Sequence, residues 1–194
     1  MGVSKFELSH GEKLKVIENF SVRLAQALVG GTVTEPNHPY GDLIHSDGTF
    51  SEVKAAGVSS GAIIRREQLR RHSKGPTRDY ILVFKSNRVW ENGRWLYLTC
   101  RNGRSRQQLE RICLESVVQI MIVPTAGMAT LYKNMKRRAE RTYHFKAGPK
   151  TYVKMRVGCF NRLILSGYTV SSNTQLIKLG SERVSVSVTV INPN

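Results

Sequence analysis

The chain has 194 residues, 40% of them hydrophobic, and carries 30 Lys plus Arg against 14 Asp plus Glu, a formal net charge of +16. That is enough apolar material for one core of ordinary size, or a core with a small appendage, and enough positive charge to make a polyanion the expected partner. No run of about 18 apolar residues occurs, and the opening MGVSKFELSHGEK lacks the basic-then-apolar pattern of a signal peptide, so no membrane association is expected.

Ser9 and Glu12 have capping-box spacing, and Leu14, Ile17, Leu24 and Leu28 then recur at helical intervals. A first helix is expected from about residue 10 to 28, ended by Gly30 and Gly31. Two short extended segments follow, GTVTEPNHPYGDLI and GTFSEVKAAG, separated by HSDG, whose Asp-Gly pair signals a turn. SSGAIIRREQLRRHSKG reads as a short basic helix in which Arg65, Arg66, Arg70 and Arg71 surround Ile63, Ile64 and Leu69. YILVFKS is an apolar run of strand length, and RVWENGRWLYLT has the form strand, Asn-Gly turn, strand. SRQQLERICLESVVQIMIV returns to helical period, with Leu109, Ile112, Cys113, Val117, Ile120 and Met121 on one stripe and Pro124 closing it.

Beyond PTAGM, TLYKNMKRRAER is a basic helix candidate, followed by strand-like TYHFKA, TYVKMRV and NRLILSGYTV. In RVSVSVTVI, Val184, Val186, Val188 and Val190 alternate with small polar residues, the pattern of a half-buried strand. The expected architecture is α/β, with a core over 1–123 and a basic, β-rich extension over 124–194; no repeat or linker marks the boundary, which is soft. Split at residue 100, the first half holds 14 basic and 10 acidic residues and the second 16 basic and 4 acidic. The dense stretch in the second half is expected to grip phosphates through Lys133, Lys136, Arg137, Arg138 and Arg141.

Against this basic background, YGDLIHSDGTFSEVKAA places Asp42, Glu52 and Lys54 close together. Residues two apart on a strand share a face, so Glu52 and Lys54 project together while Val53 turns toward packing. If YGDLI forms the preceding antiparallel strand, Asp42 lies beside Glu52. Two such carboxylates repel unless a cation joins them, and Mg²⁺, which takes oxygen ligands and completes its shell with water and phosphate, is the natural cation, with Mn²⁺ as its substitute. Lys54 is then placed to orient or deprotonate a water, or to stabilise charge on phosphorus.

An Asp ending one strand, ten residues, then Glu-Val-Lys on the next resembles the PD-(D/E)xK nucleases, which include type II restriction endonucleases and Holliday-junction resolvases. The order helix, strand, strand, helix, strand over roughly residues 10 to 100 is similar to that family's core. Pro39-Tyr40-Gly41 stands where the family name has a proline adjacent to the Asp. The resemblance implies a restriction-endonuclease-like fold, Asp42 and Glu52 as metal ligands, Lys54 as catalytic lysine, Glu18 on the first helix as a further ligand, and Gln68 as a polar residue near the site. It also implies a Mg²⁺-dependent DNA endonuclease, either a sequence-specific restriction enzyme or a structure-selective junction nuclease, working as a homodimer in a prokaryotic or phage cytosol.

Other readings compete. Glu-x-Lys also occurs on solvated strands as a charge ladder and Asp42 can belong to a turn, which would leave a non-catalytic basic nucleic-acid-binding protein. His38 and His45 flank Asp42, but no ββα pattern with later Asn and His ligands accompanies them. No GxSxG, P-loop or GxGxxG is present. Trp90 and Trp95 flank the Asn-Gly turn and suit cross-strand packing, or base stacking. Cys100, Cys113 and Cys159 lack CxxC spacing and suggest reduced thiols in a cytosol.

Overall fold

A computed structural model describes residues 8–86, 88–91, 94–97, 105–143 and 152–194, with side chains for 8–86, 105–135 and 152–194. In chain order the elements are α1 (His10–Val29), β1 (Thr32–Val33), β2 (Leu43–Ile44), β3 (Phe50–Gly57), β4 (Ala62–Arg65), α2 (Arg66–His72), β5 (Thr77–Lys85), β6 (Arg88–Glu91), β7 (Arg94–Tyr97), α3 (Arg106–Ser116), β8 (Val117–Pro124), α4 (Thr125–Tyr143), β9 (Tyr152–Met155), α5 (Asn161–Ile164), β10 (Tyr168–Leu179) and β11 (Glu182–Pro193). The fold is α/β. Seven strands form one mixed sheet in the order β1-β2-β3-β5-β8-β11-β10, and two small pairs, β4-β9 and β6-β7, stand apart.

α1 starts where the sequence places it. The Ser9 hydroxyl accepts the Glu12 amide at 3.3 Å and the Glu12 carboxylate accepts the Ser9 amide at 2.7 Å, satisfying two donors that a helix start leaves open. Its buried stripe is Lys13, Val16, Phe20, Ser21, Leu24 and Ala25, whereas Leu14 is 41% exposed. The periodicity was therefore right and the phase rotated, because Val16, Phe20 and Ala25 complete the apolar face better than Leu14 does.

β5 organises the interior. Tyr80, Ile81, Leu82, Val83 and Phe84 are all fully buried, so both faces of this strand are covered. Ile81 and Val83 meet Phe20, Leu24, Val53 and Cys113 on the side of α1 and α3. Tyr80, Leu82 and Phe84 meet Leu69, Met128, Leu131 and Phe160 on the side of α2, α4 and α5. β3 runs parallel to β5, and β8 antiparallel to it on the other side.

Three expected elements differ. The helix expected through residue 123 stops at Ser116, and Val117–Pro124 is a strand in the middle of the sheet. Val117, Val118, Ile120, Ile122 and Val123 are all β-branched, which favours extended backbone and outweighs a helical stripe that held only over a short window. Pro124 ends this strand rather than a helix. Ile63, Ile64 and Arg65, expected in a basic helix, form β4, and the helix begins at Arg66. Asn161–Ile164, expected to be extended, is a helical turn before β10. β11 lies parallel to β8, so chain on both sides of residue 124 shares one sheet. TYHFKA falls largely outside the described residues, and Trp90 pairs with Trp95 across β6-β7 as register alone.

Ile120→Ala should cost about 2–5 kcal/mol in urea denaturation, since a fully buried side chain is lost from the central sheet. Val118→Ala, at a 45% exposed position, should still destabilise, by less than about 1 kcal/mol, because alanine disfavours a strand. Stabilisation by Val118→Ala would instead indicate helix there.

Candidate functional site

β2 and β3 form the expected antiparallel hairpin, with Leu43 opposite Ser51 and Ile44 opposite Phe50. One residue before β2 the pairing continues, as the Asp42 amide donates to the Ser51 carbonyl at 2.9 Å and the Thr34 amide donates to the Asp42 carbonyl at 3.0 Å. The Asp42 carboxylate then reaches along β3, and its Oδ2 accepts the Val53 amide at 2.8 Å. Asp42 is thereby held at both main chain and side chain.

Gly41 explains why no larger residue precedes that aspartate. Its φ is 149°, and a Cβ there would lie 2.6 Å from the Ser51 carbonyl oxygen. Only glycine lets the two backbones approach this closely at such a φ.

Along β3, Val53 enters the core with Phe20 and Leu24, so Glu52 and Lys54 face the other way, toward α2. Glu52 is buried at 4% exposure, beside Tyr80 in the parallel register. Its Oε1 receives both the Lys54 ammonium and the Gln68 side-chain amide. Its Oε2 lies 3.9 Å from Nε2 of His72. Asp42, Glu52, Lys54 and Gln68 are thus brought together.

His72 and Tyr80 complete the arrangement. His72 Nδ1 is 2.7 Å from the Tyr80 hydroxyl, both side chains are almost fully buried, and the ring also bonds the Pro39 carbonyl. Burial, and after it the Lys54 and Arg71 charges, depress His72 to about 4 although the Pro39 bond opposes this, so the ring is neutral near pH 7. A neutral ring donates its one N–H to the carbonyl, leaving the Tyr80 hydroxyl to donate to Nδ1. Burial and the Glu52 charge push the Tyr80 phenol up, which keeps it protonated. Sequence reading missed both residues. His72 had a usable signal, standing four residues after Gln68 on one face of α2, whereas Tyr80 looked like any other apolar position of its strand.

The carboxylates are unequal. Burial, then the charge of Glu52, raises Asp42 to about 6, against the opposing Val53 hydrogen bond and the Lys54 charge. One ammonium stands beside the buried Glu52 and the partly buried Asp42, and it sits on Glu52. Asp42 Oδ1 makes no hydrogen bond among the described residues. An oxygen-rich, under-neutralised pair of this kind suits a hard cation that also keeps water and substrate oxygens, as Mg²⁺ does. Among the described residues no group of three or more His, Cys, Asp or Glu is placed to hold a metal.

Glu18 is not brought to the site. It is exposed on α1, and α1 packs on the sheet face that receives Val53, opposite the face carrying Glu52. Its expected role followed from the wrong helical phase. His45 is on that opposite face too, hydrogen-bonded to Ser51 at 2.7 Å, while the His38 ring stacks on Phe50 at 4.7 Å. Neither histidine joins the carboxylates.

Basic residues flank the site. Arg65, Arg66, Arg70 and Arg71 are exposed on the outer surface of β4 and α2, whose inner surface supplies Gln68, Leu69 and His72. On neighbouring β9 Lys154 is exposed and Tyr152 opposes Arg65, and Arg156, just after β9, is exposed too. Lys133 is exposed on α4. Lys136, Arg137, Arg138 and Arg141 continue α4, with side chains outside the described residues. No helix is long and apolar enough to cross a membrane among the described residues. No protein-family model, curated protein or solved structure matches the chain.

Two outcomes are expected. Gly41→Ala should destabilise by at least about 2 kcal/mol in denaturant melts, since the strained φ and the Ser51 carbonyl both oppose a Cβ. In metal-free buffer the two shifted groups act oppositely. Asp42, raised above its ordinary 3.8, binds a proton more readily when folded, so its contribution falls as pH rises from about 4 through 6. His72, lowered from 6.5 to about 4, penalises the folded state as pH falls through the same window. Asp42→Asn should therefore unmask the His72 penalty, losing more stability than wild type between pH 6.5 and pH 4, with a slope difference of up to about 1.4 kcal/mol per pH unit. Parallel pH profiles of melting would contradict this.

Proposed function

We propose that the chain is a Mg²⁺-dependent DNA endonuclease with a restriction-endonuclease-like core. The observation that carries the reading is the convergence of Asp42, Glu52 and Lys54 at one hairpin, with a buried and a partly buried carboxylate beside a single ammonium that pairs with Glu52. Asp42 Oδ1 and the Glu52 carboxylate would hold the ion. When bound, Mg²⁺ (or Mn²⁺) supplies Lewis-acid polarisation of the scissile phosphate and acidifies a water.

The protein groups do the rest. Asp42 is fixed by the Val53 amide, so its free oxygen points at a defined place. Glu52 is oriented by Gln68, and the neutral His72 beside it adds no competing positive charge. The Lys54 ammonium, which pairs with Glu52 in this structure, stands beside the carboxylates where it would stabilise the negative charge that builds on the attacking water and the phosphoryl oxygens. In the reaction the water oxygen bonds to phosphorus and gives its proton to solvent or a phosphate oxygen, while the bond to the leaving deoxyribose oxygen breaks and that oxygen takes a proton from solvent. Arg65, Arg66, Arg70 and Arg71 hold the flanking backbone, with Lys133 and the following basic residues of α4 extending the track. A homodimer would cut both strands of a duplex or both arms of a junction.

Supercoiled plasmid and a four-way junction, each incubated with protein and Mg²⁺ beside an EDTA control, test this reading. Metal-dependent cleavage should occur, and Glu52→Ala, Lys54→Ala and Asp42→Ala should each lower its rate at least about 100-fold while DNA binding persists. Discrete plasmid fragments would favour the restriction type and junction-specific products the resolvase type. DNA retarded but never cut would leave a non-catalytic basic binding protein.

A further inference from the structure

β10 ends the seven-stranded sheet. It pairs with β11 over all twelve residues, Tyr168 opposite Pro193 through Leu179 opposite Glu182, with no register shift. On its other side no strand is present among the described residues. In an antiparallel ladder alternate residues turn N–H and C=O outward, so about half of β10 offers unpaired backbone groups along a straight edge.

Proteins usually blunt such an edge with short length, proline, a bulge or lysines. The opposite end of the sheet is protected in this way, since β1 is two residues long. β10 has none of these devices before Lys178, and Tyr168–Ile177 contains no charged residue in a chain of net charge +16. Two molecules this basic repel over most of their surfaces, and this charge-free seam is where they can approach. The lack of cations also argues against DNA as its occupant. Among the exposed residues of β10 are two apolar ones, Leu176 at 64% and Val170 at 41%, and just before the strand Ile164 and Leu165 are 53% and 89% exposed.

We infer that two copies of this chain associate through antiparallel pairing of their β10 strands, joining two seven-stranded sheets into one. Val170 and Leu176 lie on one face of β10, six residues apart, so a two-fold axis at Asn173 sets Val170 against the partner subunit's Leu176, and does so twice. That register covers exposed apolar side chains with each other and places Asn173 beside its own copy. The inference stands on the sheet edge and holds whether or not the site hydrolyses DNA.

Sedimentation of the wild-type chain should give twice the 21.9 kDa chain mass. Thr174→Lys combined with Leu176→Lys, both at exposed positions, should give a single-chain mass with an unchanged circular dichroism spectrum. Should that variant misfold, two measurements decide instead. Asn173→Cys, made with Cys100 and Cys159 changed to serine, should form a reducible dimer, since paired Cα atoms at a two-fold lie within disulfide reach; Thr49→Cys in the same background should not. In the wild type, β10 amide protection from hydrogen exchange should fall on dilution. A wild-type monomer, a dimer that survives the lysines, or no cross-link from Asn173→Cys would each overturn the inference.

Discussion

The hydrogen bond from the Val53 amide to Asp42 Oδ2 is the constraint on which the site depends. It ties the aspartate to the strand that bears Glu52 and Lys54, one residue to either side of its donor. Strand alternation makes the register decisive, because a slip of one residue would turn Glu52 and Lys54 onto the α1 face and leave Val53 in their place. Three further contacts hold the register. The Asp42 amide donates to Ser51, Gly41 passes against the Ser51 carbonyl with no room for a side chain, and the Thr77 hydroxyl donates to the Tyr40 carbonyl.

Behind this hairpin, β5 and α2 form the floor and wall of the site. Tyr80 stands opposite Glu52 in the parallel register of β3 and β5, and its hydroxyl reaches His72. This buried pair of neutral polar groups satisfies its own hydrogen bonds and lines the carboxylate's surroundings without cancelling its charge, while Gln68 and Lys54 bond the carboxylate itself. The same seven-residue helix turns Gln68 and His72 inward and Arg70 and Arg71 outward. The exposed arginines on its outer surface and Gln68 beside Glu52 on its inner surface thus belong to one element. The raised Asp42 has a matching logic, since a carboxylate strained by burial and a like charge gains most from a cation.

Much of this was legible in the sequence, and the exceptions share a cause. The capping box, the Asp-Gly hairpin and the alternating final strand are local signals, and the structure follows them. The placement of Asp42, Glu52 and Lys54 followed from period-two alternation plus one hairpin. Gln68 followed from the family resemblance. What was not legible depended on tertiary context. The phase of α1 was decided by which stripe best fitted β3 and β5, and its packing on the Val53 face of the sheet keeps Glu18 away from the site. Val117–Pro124 satisfied a helical stripe over a short window, yet its β-branched residues and its position between β5 and β11 made it a strand. Tyr80 was hidden because a buried tyrosine with a partner and one without look the same in a sequence.

The proposed chemistry requires Asp42 and Glu52 to form a cation site. The most direct measurement is a titration of the wild-type chain and Asp42→Asn with Mg²⁺, and with Ca²⁺ as a non-hydrolytic probe, followed by calorimetry and thermal unfolding at pH 6. Saturable binding to wild type is expected with a rise in melting temperature, since a ligand of the folded state stabilises it, and with release of a fraction of a proton as Asp42 ionises. Asp42→Asn should lose the binding, the stabilisation and the proton release. A wild-type chain whose melting and heat of mixing do not respond to millimolar Mg²⁺ or Ca²⁺, or a response retained in full by Asp42→Asn, would contradict it.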